Sequence, residues 1–249
     1  MAQLALITGA AVRIGRAIAL HLAKRGFSIA VQFRSSKREA EETAAALQAA
    51  GVQSACFQAG LADTAQLEAL FPAINAALGP VTCLINNASY FADDRVESLT
   101  AEGWDTHMAI NLKAPVFLAQ AYAAQLPSAE AGNIINIIDQ RVLRPNPHFF
   151  SYTLSKSALW AATKTMAQGL APRIRVNAIG PGPALPSVYQ TPGDFEHECR
   201  STPLGHGTTP EEIANAVSFI LDSPAMTGQM IALDGGQHLL WQTPDIRVT

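Results

Sequence analysis

Short β-branched runs alternate along this chain with alanine-rich stretches of helical spacing, and that alternation constrains the fold more than any other feature. The runs are Leu4 to Thr8, Ser28 to Phe33, Val52 to Phe57, Val81 to Asn86, Asn133 to Ile138, Ile174 to Ile179 and Met230 to Leu233. Between most of them apolar residues recur at helical intervals, as Ile14, Ile18 and Leu22 do. Strands alternating with helices argue for a parallel sheet covered on both faces. The runs are nearly all apolar, as burial on both faces requires. The expected class is therefore α/β: a single doubly wound domain, residues 1–249, with a seven-stranded parallel sheet. A chain of 249 residues suffices for one large α/β domain and is short for two independent ones.

Local signals place the helix ends. Ser36-Lys37-Arg38-Glu39 and Asp63-Thr64-Ala65-Gln66 read as capping boxes. Gly26, Gly51 and Gly79 sit where three helices should stop. Pro72 inside the third helical pattern predicts a kink or a break. The stretch 180–209, rich in Pro and Gly, reads as a long irregular loop and as the candidate substrate lid.

Composition excludes several function classes. Hydrophobic residues at 49% and charged residues at 15% exclude disorder as the general state. A formal net charge of -3 leaves no footprint for general nucleic-acid binding, and no polybasic run suggests docking on anionic lipid. No uncharged apolar run is long enough to span a membrane. The apolar N-terminus carries Arg13, Arg16, Lys24 and Arg25 inside and after its apolar part, which is not a signal-peptide order. Cys56, Cys83 and Cys199 form no CxxC pair, which suits a reduced, cytoplasmic protein without structural disulfides. His206 and the other histidines show no metal spacing, so no metal is expected.

Two segments carry the chemistry. Thr8-Gly9-Ala10-Ala11-Val12-Arg13-Ile14-Gly15 follows the first strand and opens the first helix. Such a turn presents backbone N–H groups at the positive end of a helix dipole and suits a pyrophosphate, although an ordinary βα turn can look the same. Gly9 permits the tight turn and Gly15 the approach of helix to strand, and Arg13 stands where the TGxxxGxG form has its middle glycine. The second strand ends in Phe33-Arg34-Ser35-Ser36, with no acidic residue for the ribose 2′-OH of NAD. Arg34, the two serine hydroxyls and Arg13 together suit a 2′-phosphate, so NADP(H) is the favoured cofactor. The alternative is a solvated helix start. The second segment, Tyr152-Thr153-Leu154-Ser155-Lys156, places a phenol and an ammonium at i and i+4 of one helix face. A neighbouring cation favours the phenolate and should lower a tyrosine pKa that is otherwise too high for proton exchange at neutral pH.

An ordered set of short segments then makes a resemblance specific: Thr8-Gly9 with Gly15, Asn86-Asn87-Ala88, Asn111, Tyr152 with Lys156, Arg175-Val176-Asn177 with Pro181-Gly182, and Asp234-Gly235-Gly236. Over nearly its whole length the chain resembles the short-chain dehydrogenase/reductase family. The resemblance implies a Rossmann domain, a nicotinamide cofactor and a dimer or tetramer. It implies that Asn87, Ala88 and Ser89 line the cofactor, that Asn111 interrupts the fourth helix and holds a relay water, and that Pro181 and Gly182 flank the nicotinamide. It also carries Ile14 and Leu61 to the cofactor site. The family's usual catalytic serine lies 13 positions before the tyrosine, where this chain has Asp139. An ionised carboxylate there would repel the oxyanion of a ketone, whereas a carboxyl suits a substrate with ring nitrogens.

That departure is similar to the pteridine reductases and the related dihydromonapterin and dihydrofolate reductases, which share TGAAxRIG, an Asp–Tyr–Lys set and Asn-Asn-Ala-Ser followed by an aromatic. Here the last segment is Asn86-Asn87-Ala88-Ser89-Tyr90-Phe91. The resemblance implies that Phe91 stacks on the substrate ring; loop packing is its other reading. Two further departures are Gly60, where the family often has an aspartate on the adenine, and Ser187, a substitute for a threonine on the cofactor amide. The expected catalytic set is Asp139, Tyr152, Lys156 and Asn111, with Arg13, Ser89, Phe91, Asp139 and Tyr152 on the substrate. Asp139 either positions a ring amine or takes part in protonation. The expected activity is NADPH-dependent reduction of a dihydropteridine or similar flat N-heterocycle. A carbonyl or 3-oxoacyl-thioester reductase and a non-catalytic NADP-sensing subunit are the alternatives. The partner is then a small molecule, with neither nucleic acid nor membrane. The helices around Trp104 to Ala124 and after Tyr152 are apolar on more than one face, so a homotetramer is expected.

Overall fold

All seven apolar runs form strands in the computed structural model, which describes residues 3–242. They are β1 (Leu4–Ile7), β2 (Ser28–Phe33), β3 (Ser54–Gln58), β4 (Cys83–Asn86), β5 (Gly132–Ile137), β6 (Ile174–Pro181) and β7 (Met230–Leu233). The sheet order is β3-β2-β1-β4-β5-β6-β7 and every pairing is parallel. The order reverses direction between β1 and β4, and a crevice opens at such a point beyond the carboxyl ends of the strands. Ile7 at the end of β1 is in register with Val31 on one side and Ile85 on the other, which brings the segments after all three strands to the crevice.

The helices are α1 (Arg13–Lys24), α2 (Lys37–Ala49), α3 (Thr64–Leu78), α4 (Ala101–Met108), α5 (Ala114–Gln125), α6 (Phe150–Leu170), α7 (Pro192–Arg200) and α8 (Pro210–Leu221). Two cores flank the sheet. Ile18 and Leu22 of α1, Leu47 of α2 and Ile213 and Val217 of α8 fill one face. Leu70 and Ile74 of α3, Leu118 and Tyr122 of α5 and Ala167 of α6 fill the other. Each such aliphatic chain stabilises the fold by roughly 1.5–3 kcal/mol relative to exposure. Arg175 on β6 holds the end of α8 by donating to the carbonyls of Ile220, Leu221, Ser223 and Met226. That is how Arg175 of the Arg-Val-Asn segment is used.

Several local expectations need correction. α1, α2 and α3 do end at Gly26, Gly51 and Gly79, but Ser36 makes no side-chain cap. Its ψ of 61° is outside the extended region in which a serine hydroxyl reaches the amides that follow. Asp63 does cap α3, accepting from Ala65 N and Gln66 N; the Gln66 side chain bonds the Asp63 carboxylate through Nε2 at 2.8 Å, and its Oε1 accepts from Gly60 N at 2.6 Å instead of from the Asp63 amide. α3 runs unbroken through Pro72. The stretch 180–209 is no continuous loop, because β6 extends to Pro181 and α7 lies inside it. Thr191 and Asp194 form a reciprocal capping box around Pro192 that starts this helix. Among the described residues no helix is long and apolar enough to cross a membrane.

Candidate active site

The turn after β1 is built for close approach. Gly9 has φ +64°, and its N–H donates to Gln32 Oε1 at 2.9 Å. Gln32 is buried on β2 and passes its own Nε2 to Ala59 O at 2.7 Å, so one side chain ties the turn to two neighbouring segments. A Cβ on Gly15 would lie 2.3 Å from Gly9 O and 2.6 Å from Asn87 Nδ2. Asn87 Nδ2 itself donates to Thr8 O at 2.8 Å, and Thr8 Oγ1 accepts from Asn87 N and Ala88 N, both at 2.9 Å. No side chain caps α1 and its first turn has no acidic residue, which leaves a positive helix end facing the cleft.

Arg13 has φ +54°, in the left-handed region that favours glycine. Its guanidinium donates to the carbonyls of Pro186 at 3.1 Å and Leu185 at 3.4 Å, binding the turn to the segment after β6. Arg34 lines the cleft at the end of β2. Ser35 and Ser36 lie beside it on the outer surface and are not among the lining residues. Leu61 lines the same end.

The cleft, about 670 Å³, joins that turn to Asp139, Tyr152 and Lys156. Tyr152 and Lys156 lie on α6, and Asp139 follows β5, where its carboxyl accepts from Arg141 N at 2.8 Å. The Tyr152 phenol donates to Asp139 Oδ2 at 2.9 Å. Burial pushes the Asp139 carboxyl up, against the pull of Arg141 N, the Arg141 charge, Tyr152 and Lys156. Burial first, then the Asp139 charge and hydrogen bond, hold the Tyr152 phenol well above its ordinary range, with the Ser89 hydroxyl and Arg141 opposing. Lys156 Nζ donates to Ile137 O at 2.9 Å, and burial brings its pKa down to about 8. The phenol is thus raised where a lowering by Lys156 was expected, through burial and Asp139 and not through Lys156. The ammonium is directed at a backbone carbonyl, and the carboxyl sits on the phenol.

Asn111 lies in a π-turn, Ala109–Lys113, which interrupts the helix between α4 and α5. Its Oδ1 accepts from Tyr90 N at 2.8 Å and Ser89 Oγ at 3.2 Å, and its Nδ2 donates to Tyr90 O at 2.9 Å and Ser155 Oγ at 3.0 Å. Every site on that amide is used, so the side chain anchors the Ser89–Tyr90 segment to α6.

Phe91 stands at the reacting end, edge-on to Tyr152 with ring centroids 4.7 Å apart. One face of its ring is stacked on Phe149 at 4.2 Å and 10°. Arg141 lies over Phe149, and Tyr189 of the lid segment meets both phenylalanines at 6.1 Å and 5.7 Å. Pro181, Gly182 and Ser187 line the cleft as expected; a Cβ on Gly182 would lie 2.6 Å from Asp234 Cβ, which accounts for the pairing of Gly182 with Asp234-Gly235-Gly236. Sequence reasoning missed Gln32, Arg141, Phe149, Tyr189, Glu198 and Gln237. Phe149, three positions before the tyrosine, was within reach of a helix-face argument; the others come together only through the tertiary fold.

Residues 9–238 match the family model described as enoyl-(acyl carrier protein) reductase. The chain is 33% identical over 244 residues to the 3-oxoacyl-[acyl-carrier-protein] reductase FabG of Staphylococcus aureus, covering 96% of this chain and 99% of that protein. It is similar in structure to FolM alternative dihydrofolate reductase 1 from Brucella canis complexed with NADP, at 47% identity and TM-score 0.96 over 98% of this chain and 97% of that one. The angucycline C-6 ketoreductase LanV with bound NADP superposes with TM-score 0.88 at 30% identity, over 95% of this chain and 96% of that one.

Proposed function

The chain belongs to the short-chain dehydrogenase/reductase family, and from that premise we propose that it reduces a dihydropteridine or a similar flat N-heterocycle. It is an NADP-dependent reductase, as are its NADP-bound structural relatives. The residues present fit that cofactor. The close packing at Gly9 and Gly15 leaves no room for a side chain against the turn, and an uncapped helix end faces the cleft. Gly9, Ile14, Gly15 and the Asn87-Ala88-Ser89 segment would hold the dinucleotide, and Arg34, with Ser35 and Ser36 beside it, would hold the 2′-phosphate. Leu61, Pro181, Gly182 and Ser187 would complete the site around adenine and nicotinamide. When bound, NADPH supplies a hydride.

The observation that carries the substrate reading is the bond from the Tyr152 phenol to Asp139 Oδ2 at 2.9 Å. A buried carboxyl on the proton donor opposes an oxyanion but suits a ring nitrogen. Asp139 is held toward its neutral form by burial, so it can carry a proton. With the ring bound, the phenol O–H turns from Asp139 Oδ2 to the ring nitrogen and the protonated Oδ2 donates to the phenol oxygen; Tyr152 then gives its proton to the ring nitrogen, and the Asp139 carboxyl proton passes to the phenol oxygen. Asp139 is then a carboxylate near the Lys156 ammonium, and solvent returns its proton. Asn111 holds the Ser89–Tyr90 segment beside the phenol, and Phe91 supplies a flat wall for the ring. Much of the rate gain would come from holding the ring in place. The likeness to the Brucella enzyme supports this reading.

A second reading, reduction of a 3-oxoacyl thioester, is favoured by the likeness to the Staphylococcus enzyme. The two are separated by following NADPH oxidation with dihydropterin, dihydrofolate, a β-ketoacyl thioester and a simple ketone. Turnover of the pterins well above the thioester is expected. Turnover of the thioester with no pterin activity would replace the first reading by the second.

A further inference from the structure

Beside the aromatic cluster the cleft wall carries a carboxylate that the reduction does not use. Glu198, on α7, lines the cleft and is half-buried. Gln190 Nε2 donates to its Oε2 at 2.6 Å, and Gln237 Nε2 donates to its Oε1 at 3.1 Å. Gln190 follows Tyr189, whose ring is 6.1 Å from Phe91, and these three line one cleft with Glu198.

Counting donors and acceptors shows what this cluster lacks. Each oxygen of an ionised carboxylate offers about two lone-pair sites, and here each has accepted one bond from these amides. Gln190 Oε1 is already spent on Ser187 N at 3.1 Å. Gln237 Oε1 is buried with no partner. Neither neighbouring guanidinium is placed on the carboxylate: Arg144 donates to the Gln237 backbone carbonyl, and Arg141 donates to Asn146 Oδ1 while lying over Phe149. The carboxylate therefore keeps spare acceptor sites on the cleft wall.

We infer that Glu198, held by Gln190 and Gln237, is a specificity subsite for hydroxyl or N–H donors on the substituent that the substrate carries outside its reduced ring. The inference rests on the proposed reduction of a pterin-like ring. A neutral hydroxyalkyl or an aminoalkyl substituent satisfies the carboxylate, whereas an anionic one meets like charge.

The test compares dihydropterin with a dihydropterin bearing a hydroxyalkyl group, using NADPH oxidation by the wild-type protein, Glu198→Gln and Glu198→Ala. Both variants should raise KM for the hydroxyalkyl compound about tenfold more than KM for the unsubstituted one, the size expected of one lost charged hydrogen bond. Because each ratio is taken within one preparation, partial loss of folded protein cancels. Equal changes in the two KM values, or none, would overturn the subsite and leave the pterin reading intact. Failure of the wild-type protein to turn over either compound would overturn both.

Discussion

At Asp139 the needs of chemistry and of stability pull apart. In the unfolded chain its carboxyl ionises near the ordinary value of 3.8; in the folded protein burial raises that value. Between the two the native state binds more protons than the unfolded one, so stability falls as pH rises through this window. At neutral pH Asp139→Ser should therefore melt higher than wild type, and the gain should shrink as pH falls toward 4 and the carboxyl becomes neutral in both states. Activity follows the same proton. The carboxyl and phenol titrate as a coupled pair, and in the proposed mechanism the protonated pair is the productive form. Wild-type activity should fall as pH rises through the first ionisation of the pair. In Asp139→Ser that limb should vanish, leaving the loss of the Lys156 ammonium as the alkaline limit, below the wild-type value of about 8 because the Asp139 charge that raises it is gone. The same variant should gain on simple ketones and lose on pterins. An unchanged pH profile with an unchanged substrate ranking would make Asp139 a structural residue.

Among the elements, the segment after β6 is the one that function bends to its use. Arg13 ties it to the cofactor turn at Leu185 and Pro186, and Thr208 N donates to Pro183 O at 2.9 Å on its far side. Holding a non-glycine residue at φ +54° costs about 1–3 kcal/mol, and the bonds to the lid are what this strain secures. Arg13→Gly should thus act with two signs. Thermal stability should hold or rise by about 1 kcal/mol as the strain is relieved, while proteolytic cleavage within residues 183–191 should quicken. A variant that is less stable, with an unaltered lid, would refute the fastening role. The sheet and most helices were legible in the sequence because continuous apolar runs, period-3.6 patterns and helix-ending residues are local signals, as at Ser28–Phe33 and at the glycines that end α1, α2 and α3. α7 was not, because its nine residues bury no side chain and its signal was only the Thr191–Asp194 box. In the site, Gly9, Tyr152 and Lys156 were legible through spacing, and Asp139 through the resemblance to the family. Their mutual polarity was not, since i,i+4 spacing does not reveal that Lys156 Nζ turns to Ile137 O.

The molecule as a whole leaves apolar surface on the two helices named for assembly. Phe117 on α5 is 42% exposed and Leu154 on α6 is 37% exposed, although both helices also bury a face in the core. A homotetramer that covers them is the expected state, and sedimentation at micromolar protein should give a mass about four times 26.4 kDa. Phe117→Asp with Leu154→Asp should then lower the mass while the chain stays folded. A monomeric wild type would refute the assembly.

Val188 projects from the lid segment at 92% exposure, between Ser187 on one side and Tyr189 and Gln190 on the other, all of which line the cleft. Its side chain is therefore a handle on the lid that touches nothing the lid needs. The three native thiols suit such use: Cys83 is buried, with its pKa pushed up to about 12, and burial also raises Cys56 and Cys199. All three are slow nucleophiles at neutral pH. A single cysteine in place of Val188 would react ahead of them with a maleimide dye, and a change in the fluorescence of that dye on adding NADPH would report whether this segment moves over the cleft.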